Sequence, residues 1–241
     1  PFLAEERFEC RRLPDGRVGN YVKGFGRPVR DDVQDRHPHG KVDLAHALTV
    51  SCNAYFAQLA TLRLKAVPLK TTADRFGIKT AEPDTAAQLA RSLPQAAYGQ
   101  GQVVASPFQM ARVAATIASG GVMPYGRWIV DETNRRAREP ERILSKEAAS
   151  RVAAAMRSVV TSGTGRRAAL ESVPIAGKTG TAELANQASH AWFIGFAPYN
   201  GPGRKIAFAI IVENGRYGGS SAAPIASDLV RAARETGLLG K

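Results

Sequence analysis

The sequence predicts an α+β fold in which helices and an antiparallel sheet are segregated along the chain. Three observations carry this. Helix-cap signals run from Asp43 to about Ser119 and recur at 145–162, short apolar strands separated by turn residues follow Pro174, and an amphipathic run closes the chain from Ala222 to Glu235. With 241 residues and 44% hydrophobic content, the chain can bury a sizeable core. No internal repeat or low-complexity tract interrupts it.

Residues 1–42 are rich in Gly, Pro, Asp and Arg and lack apolar periodicity, so they read as an extended, loop-rich leading segment. Region 43–170 reads as mainly helical. Asp43 is placed to cap a run ending at Val50, a second helix-like run covers Ala54 to Leu64, and Gly77 after Phe76 ends a third helix. Ser106-Pro107 offers an N-cap and a first-turn proline to a helix over Phe108 to Ser119, which Gly120-Gly121 stops. Ser145 caps an amphipathic helix with Val152, Met156, Val159 and Val160 near helical spacing. Region 171–241 reads as three strands, Ile175 to Glu183, His190 to Ala197 and Ile206 to Glu213. Asn186-Gln187 and Asn200-Gly201-Pro202-Gly203 join them into a meander that the last helix covers.

The net charge of +12 and the pI near 10.2 suit an anionic partner. The arginines, however, are spread along the chain with only short pairs such as Arg135-Arg136 and Arg166-Arg167, and no basic motif is interleaved with aromatics. A nucleic-acid partner is therefore not expected. A solvated arginine-rich surface is the simpler reading, and attraction to anionic envelope polymers or lipid headgroups is the alternative. No apolar run reaches the length of about 18 residues that a spanning helix needs, and no charged-then-apolar leader is present.

Cys10 and Cys52 are the only cysteines. They either form a disulfide or remain two separate thiols with Cys52 packed behind the Ser51 loop, and the sequence leaves both open. His37, His39, His46 and Cys10 have a spacing that matches no common zinc pattern, so they read as loop residues. No metal and no cofactor are expected. His190 opens a strand and needs no catalytic role. The Gln100-Gly101-Gln102 loop reads equally as a cleft wall or as a glycine-rich bend into the next helix.

Lys178-Thr179-Gly180-Thr181 is the most informative stretch. In a strand, Thr179 and Thr181 share one face, Lys178 takes the other, and Gly180 leaves that second face clear. Two hydroxyls and a fixed cation suit a peptide's terminal carboxylate, a charge-assisted bond worth about 1.5–3 kcal/mol. A nearby backbone N–H can also face a developing oxyanion. Ser51-Cys52-Asn53 lies between two helix-like runs, where a short loop holds a hydroxyl and an amide in a cleft. Gly177-Lys178-Thr179 also suggests a phosphate-binding loop, but that motif needs glycine where Ser172 stands, and a helix after the lysine.

Together, Ser51-Cys52-Asn53 and Lys178-Thr179-Gly180 resemble the Ser-x-Asn and Lys-Thr-Gly signatures of the penicillin-recognising serine enzymes. The resemblance to penicillin-binding protein transpeptidase domains extends through His39-Gly40-Lys41-Val42-Asp43-Leu44, Ala47-Leu48 and Tyr55-Phe56. It continues through Tyr98-Gly99-Gln100-Gly101-Gln102, Ser106-Pro107-Phe108-Gln109-Met110-Ala111, Trp192 to Pro198 and Gly218-Gly219. It covers roughly residues 8–237.

This resemblance implies a β-lactamase/transpeptidase-like fold, a five-stranded antiparallel sheet with helices on both faces beside an all-helical region. Only three of those strands are obvious in the sequence. It implies acyl transfer from D-alanyl-D-alanine stem peptides during peptidoglycan cross-linking, with covalent inhibition by β-lactams. Ser51 would relay a proton to the leaving amine beside Lys178, and Asn53 would orient the substrate amide. Thr179, Gly180 and Thr181 would form the carboxylate clamp, with the Thr181 N–H as an oxyanion donor. Implied partners are stem peptides, lipid-linked precursors, β-lactams and membrane proteins of cell-wall synthesis. The implied place is the extracytoplasmic face of the bacterial cytoplasmic membrane, anchored by an upstream segment.

One departure qualifies this. The family's nucleophile is the serine of a Ser-x-x-Lys tetrad, and none of the nine lysines here has a hydroxyl residue three positions before it. The expectation is a single incomplete transpeptidase domain over 1–241 that begins after the tetrad and is inactive alone. The alternatives are a non-catalytic penicillin- or peptidoglycan-binding module and a β-lactamase-like hydrolase. No residue here suggests the hydrolase's deacylating glutamate.

Overall fold

The computed structural model describes residues 5–126, 140–201 and 203–239. Arg135-Arg136 and Pro202 lie outside the described residues. Where the sequence predicts a loop-rich leading segment, four short strands form one antiparallel sheet in the order β3-β2-β1-β4: β1 (Phe8–Arg12), β2 (Val18–Asn20), β3 (Val29–Arg30) and β4 (Gly40–Val42). Strands of two to five residues are too short to show alternation. Tertiary packing fixes them instead, with Phe8, Cys10, Val18 and Val42 buried against Ala47, Cys52 and Tyr55. At Gly19, with φ +156°, an added Cβ would lie 2.1 Å from the Val29 carbonyl oxygen, so the β2–β3 approach requires glycine.

The helical region follows the sequence signals closely. Asp43 caps α1 (Leu44–Val50) by accepting from the His46 N–H, and Cys52 caps α2 (Asn53–Leu59) by accepting from the Tyr55 N–H. A π-helical turn, Ala60–Leu64, continues α2 into α3 (Ala66–Arg75), after which Gly77 adopts φ +71°. Two short helices, α4 (Ala86–Arg91) and α5 (Leu93–Ala96), lead to α6 (Pro107–Ala118), which opens on a reciprocal Ser106–Gln109 capping box. A small ladder, β5 (Val122–Met123) with β6 (Glu141–Arg142), precedes α7 (Lys146–Thr161), capped by Ser145.

The C-terminal meander has the order β7-β8-β9: β7 (Ala176–Leu184), β8 (Gln187–Ala197) and β9 (Ile206–Val212). Helix α8 (Ala223–Glu235) covers one face, where Phe193 and Phe208 pack with Ala226 and Val230. Helices α6 and α7 cover the other, where Phe196 and Ala176 meet Ile117 and Met156. Phe193 and Phe196, three apart on β8, thus anchor opposite faces. Each is fully buried, which stabilises by about 1.5–3 kcal/mol per side chain. Among the described residues the sheet has three strands, and β9 pairs with β8 alone.

Candidate active site

The site is assembled where the C-terminus of α1 meets the open edge of β7. Ser51 closes α1 in a left-handed conformation, φ 61° and ψ 44°, and its N–H bonds the Ala47 carbonyl. This backbone costs a non-glycine residue about 1–2 kcal/mol. Lys178 donates to Ser51 Oγ over 2.7 Å and to the carbonyl oxygen of Thr179 over 2.8 Å. Desolvation of the half-buried Lys178 ammonium pulls its pKa down to about 8.

The two carbonyls that accept side-chain donors define the strand's edge. Thr179 O takes Lys178 Nζ, and Thr181 O takes Gln100 Nε2 over 2.9 Å. Both carbonyls therefore point away from β8. Because the N–H and C=O of one strand residue face the same edge, the Thr181 N–H also faces the cleft. The cleft runs along this edge, not over one face of β7, so Lys178, Thr179, Gly180 and Thr181 all line it despite their alternation. The alternation expected from the sequence is compatible with the lysine and the threonines lining one cleft, because the cleft follows the strand's edge. The room left by Gly180 is filled by Trp192, whose Cβ would lie 3.1 Å from an added Cβ.

Thr179 is only 8% exposed, and its hydroxyl pairs with that of Thr164 at 2.6 Å. One proton of the pair bridges the oxygens, which leaves the other for an anion. Sequence reasoning missed Thr164. Its signal was the flanking pair Gly163 and Gly165: an added Cβ at Gly163 would lie 2.2 Å from the Thr49 carbonyl oxygen. That contact seats the loop against α1. Asn53, the first residue of α2, donates through Nδ2 to the Arg30 carbonyl at 3.1 Å, so its amide is oriented before any ligand arrives.

The cleft has a volume of about 940 Å³, and Ser51, Asn53 and β7 lie on its walls. Arg17, Arg30, Arg166 and Arg167 also line it, against Asp31, Asp32, Asp35 and Glu183. Gln100, between Gly99 at φ +83° and Gly101 at φ +77°, reaches the cleft, whereas Gln102 Oε1 accepts from the Glu82 N–H. His190 lies within β8 and accepts at Nδ1 from the Asn214 N–H.

Behind the Ser51 loop, Cys10, Asp31, His39 and Cys52 bring four potential metal-ligating atoms within 4.8 Å of one another. Of the loop histidines only His39 belongs to this group, which corrects its reading as an isolated loop residue, while Cys10 and Cys52 are two thiols with Cys52 packed behind the Ser51 loop. His37 and His46 do not join it. Burial opposes ionisation of Asp31, but hydrogen bonds from His39, Cys10 and the Ala54 N–H outweigh it and keep the carboxyl below its usual range. Desolvation likewise opposes charge on His39, yet Asp31 and Asp35 hold its imidazolium up to about 11. The hydrogen bond with Cys52 lowers Cys10 to about 7, and that same contact, with burial, pushes Cys52 up. Both cysteines are free thiols in this structure.

The family description "Penicillin binding protein transpeptidase domain" matches residues 18–231. The chain belongs to this family. It is 34% identical over 230 residues to the peptidoglycan D,D-transpeptidase PbpA of Mycolicibacterium smegmatis, covering 83% of this chain and 45% of that protein. It is 33% identical over 219 residues to PbpA of Mycobacterium tuberculosis, covering 80% and 44%. The chain thus spans about half the length of the curated relatives it matches. The structure of penicillin-binding protein A from M. tuberculosis as its imipenem acyl-enzyme complex superposes with a TM-score of 0.72 at 28% identity, covering 96% of this chain and 55% of that one. A phosphate-binding loop is excluded on geometry, since β7 continues as strand to Leu184 where that motif needs a helix.

Proposed function

We propose that this chain supplies the carboxylate clamp, the proton path and one oxyanion donor of a serine D,D-transpeptidase acting on peptidoglycan stem peptides. The supporting observation is the 2.7 Å contact between Lys178 Nζ and Ser51 Oγ, which joins two motifs 127 residues apart. In this reading a serine from a Ser-x-x-Lys tetrad outside these 241 residues attacks the carbonyl of the penultimate D-alanine. The Thr181 N–H faces the oxyanion that forms, and loss of such a donor costs on the order of 10²- to 10³-fold.

The terminal carboxylate lies against Lys178 and the hydroxyls of Thr179 and Thr181, beside Gly180. Asn53 orients the substrate amide. When the acyl C–N bond breaks, Ser51 gives its proton to the departing D-alanine nitrogen, and the adjacent Lys178 ammonium, with a pKa of about 8, can restore it. β-Lactams would react at the same atoms and remain as acyl adducts. The substrates place the site on the extracytoplasmic side of the bacterial membrane, among lipid-linked precursors and membrane proteins of wall synthesis.

A second reading is a penicillin- or peptidoglycan-binding module without chemistry. Intact-mass spectrometry after benzylpenicillin exposure separates the two. The expected result is one adduct on a protein carrying the tetrad ahead of this chain and none on the 241 residues alone. No adduct on either would favour the binding module. An adduct on the shorter chain would mean that another serine, such as Ser51, attacks.

A further inference from the structure

We propose, resting on the transpeptidase reading of this site, that Arg166 and Arg167 form an acceptor subsite that holds a carboxylate of the second stem peptide, whose amine receives the acyl group. Of the four arginines that line the cleft, two are already engaged. Arg30 pairs with Asp15 at 2.7 Å, and Arg17 Nη2 donates to the Asp31 carbonyl at 3.0 Å. Arg166 and Arg167 are exposed and have no acidic partner among the described residues. Arg167 Nη1 reaches the Ser220 carbonyl only at 3.4 Å, which leaves both guanidinium forks open to an anion.

Their place in the fold puts them at the leaving-group end of the cleft. Along β7 the proposed clamp lies toward Thr179 and the oxyanion donor at Thr181, so the departing D-alanine points toward Thr179 and the acyl chain toward Glu183. The Thr164 hydroxyl meets that of Thr179 at 2.6 Å, and the helical turn Arg166–Ala168 follows directly. Buried Ala168 packs in the core with Phe193, and a Cβ at Gly165 would lie 3.0 Å from Val159 Cγ1, so the turn is seated while its two arginines stay exposed. A Cβ at Gly219 would lie 2.5 Å from the Thr164 carbonyl oxygen, which brings the turn Gly218–Ala222 against the same end. The opposite end is acidic. Burial, then the fields of Glu183 and Asp31, push up the Tyr98 phenol, so those two carboxylates lie near it. Free positive charge and negative charge thus occupy different ends of one cleft.

Acyl transfer requires the acceptor amine to enter where the D-alanine amine left, because the second step retraces the geometry of the first. Its nitrogen attacks the ester carbonyl of the acyl-enzyme, and a C–N bond forms as the C–O bond to the tetrad serine breaks. The proton lost by the amine ends on the freed serine oxygen, with Ser51 as its carrier. The rest of the acceptor then extends past Thr179, over the turn that carries Arg166 and Arg167. A second stem peptide brings its own terminal carboxylate, and a planar guanidinium matches a carboxylate with two parallel hydrogen bonds. Water, which attacks the same carbonyl in hydrolysis, has no such group. The arginine pair therefore favours the amine over water.

The test reads the fate of one acyl-enzyme. The protein carrying the tetrad, given a thioester stem-peptide analogue and a D-alanyl-D-alanine pentapeptide with a free side-chain amine, partitions between aminolysis and hydrolysis. That ratio does not depend on how fast the acyl-enzyme forms. The double variant Arg166→Gln/Arg167→Gln should lower it by about 5- to 20-fold, as expected for two exposed charge-assisted pairs. With the acceptor's carboxylates amidated, parent and variant should give the same low ratio, a comparison that impaired folding does not imitate. Arg166→Lys/Arg167→Lys should recover part of the difference, and high salt should shrink it in the parent. Equal ratios for free and amidated acceptors in the parent, or an unchanged ratio in the Gln variant, would overturn the subsite and leave the transpeptidase reading standing. Failure of the tetrad-bearing parent to form any acyl-enzyme would remove that reading, and the subsite with it.

Discussion

Gln100 donates to the carbonyl oxygen of Thr181 across 2.9 Å, although 81 residues separate them in sequence. The open edge of β7 thus has its central acceptor occupied by a side chain of the same protein. A peptide adding along that edge must displace this amide to pair with Thr181.

Gln100→Ala should therefore tighten the initial, non-covalent step of penicillin or peptide binding by about 2- to 10-fold, the equivalent of one exchanged hydrogen bond. The concentration dependence of acylation separates that step from the limiting rate. Weaker binding in the variant would mean that Gln100 braces the strand instead of standing in for a ligand.

Ser51→Ala and Lys178→Ala should each slow acylation of the tetrad-bearing protein by at least about 10²-fold, the lower range for a positioned proton path. Circular dichroism should show little change in either. A variant that reacts at the parent rate would reduce Ser51 to a helix terminator, or Lys178 to a packing residue.

Lys178 also sets a pH dependence. Its ammonium attracts the carboxylate, so initial binding should weaken as pH rises through about 8, with the break displaced upward once a carboxylate is bound. For stability the sign is opposite. Lys178 is held below its ordinary value of 10.5, so between about 8 and 10.5 the unfolded chain binds more protons and stability should rise with pH. Urea unfolding of the parent and of Lys178→Met at the two ends of that window provides the check. The parent should gain relative to the variant, and parallel behaviour would show that burial does not perturb the lysine.

The outer edge of β9 has no strand partner among the described residues, and it presents Ile206, Ile210, Ile211 and Val212 only partly buried. Such an edge is a template for intermolecular pairing. The 241-residue chain should form soluble oligomers or aggregate, and a longer protein with a strand for this edge should be monomeric. Light scattering coupled to size exclusion compares them. A stable monomer of the short chain would count against the exposed edge.

Local structure was legible in the sequence. Ser51, Asn53 and Lys178, the residues of the proposed site, stand in motifs a few residues long that the structure brings to one cleft, and caps such as Ser106 and Ser145 act within one turn. What escaped notice depends on contacts between distant segments. Thr164 reaches Thr179, Gln100 reaches Thr181, and Cys10 meets Asp31 and His39 from 21 and 29 residues away. No spacing rule brings such residues together. The strands β1 to β4 were missed for a related reason, since their existence depends on Tyr55 and Ala47 more than on their own pattern.

The left-handed backbone at Ser51 makes the end of a helix and the proposed proton relay one and the same residue. Glycine or asparagine would relax the backbone but remove the hydroxyl, while threonine would keep the hydroxyl and place a branched Cβ where left-handed geometry tolerates it poorly. Serine alone meets both demands. Sequence change at Ser51 is therefore structurally expensive, and sequence change has more freedom along the cleft walls than at their centre.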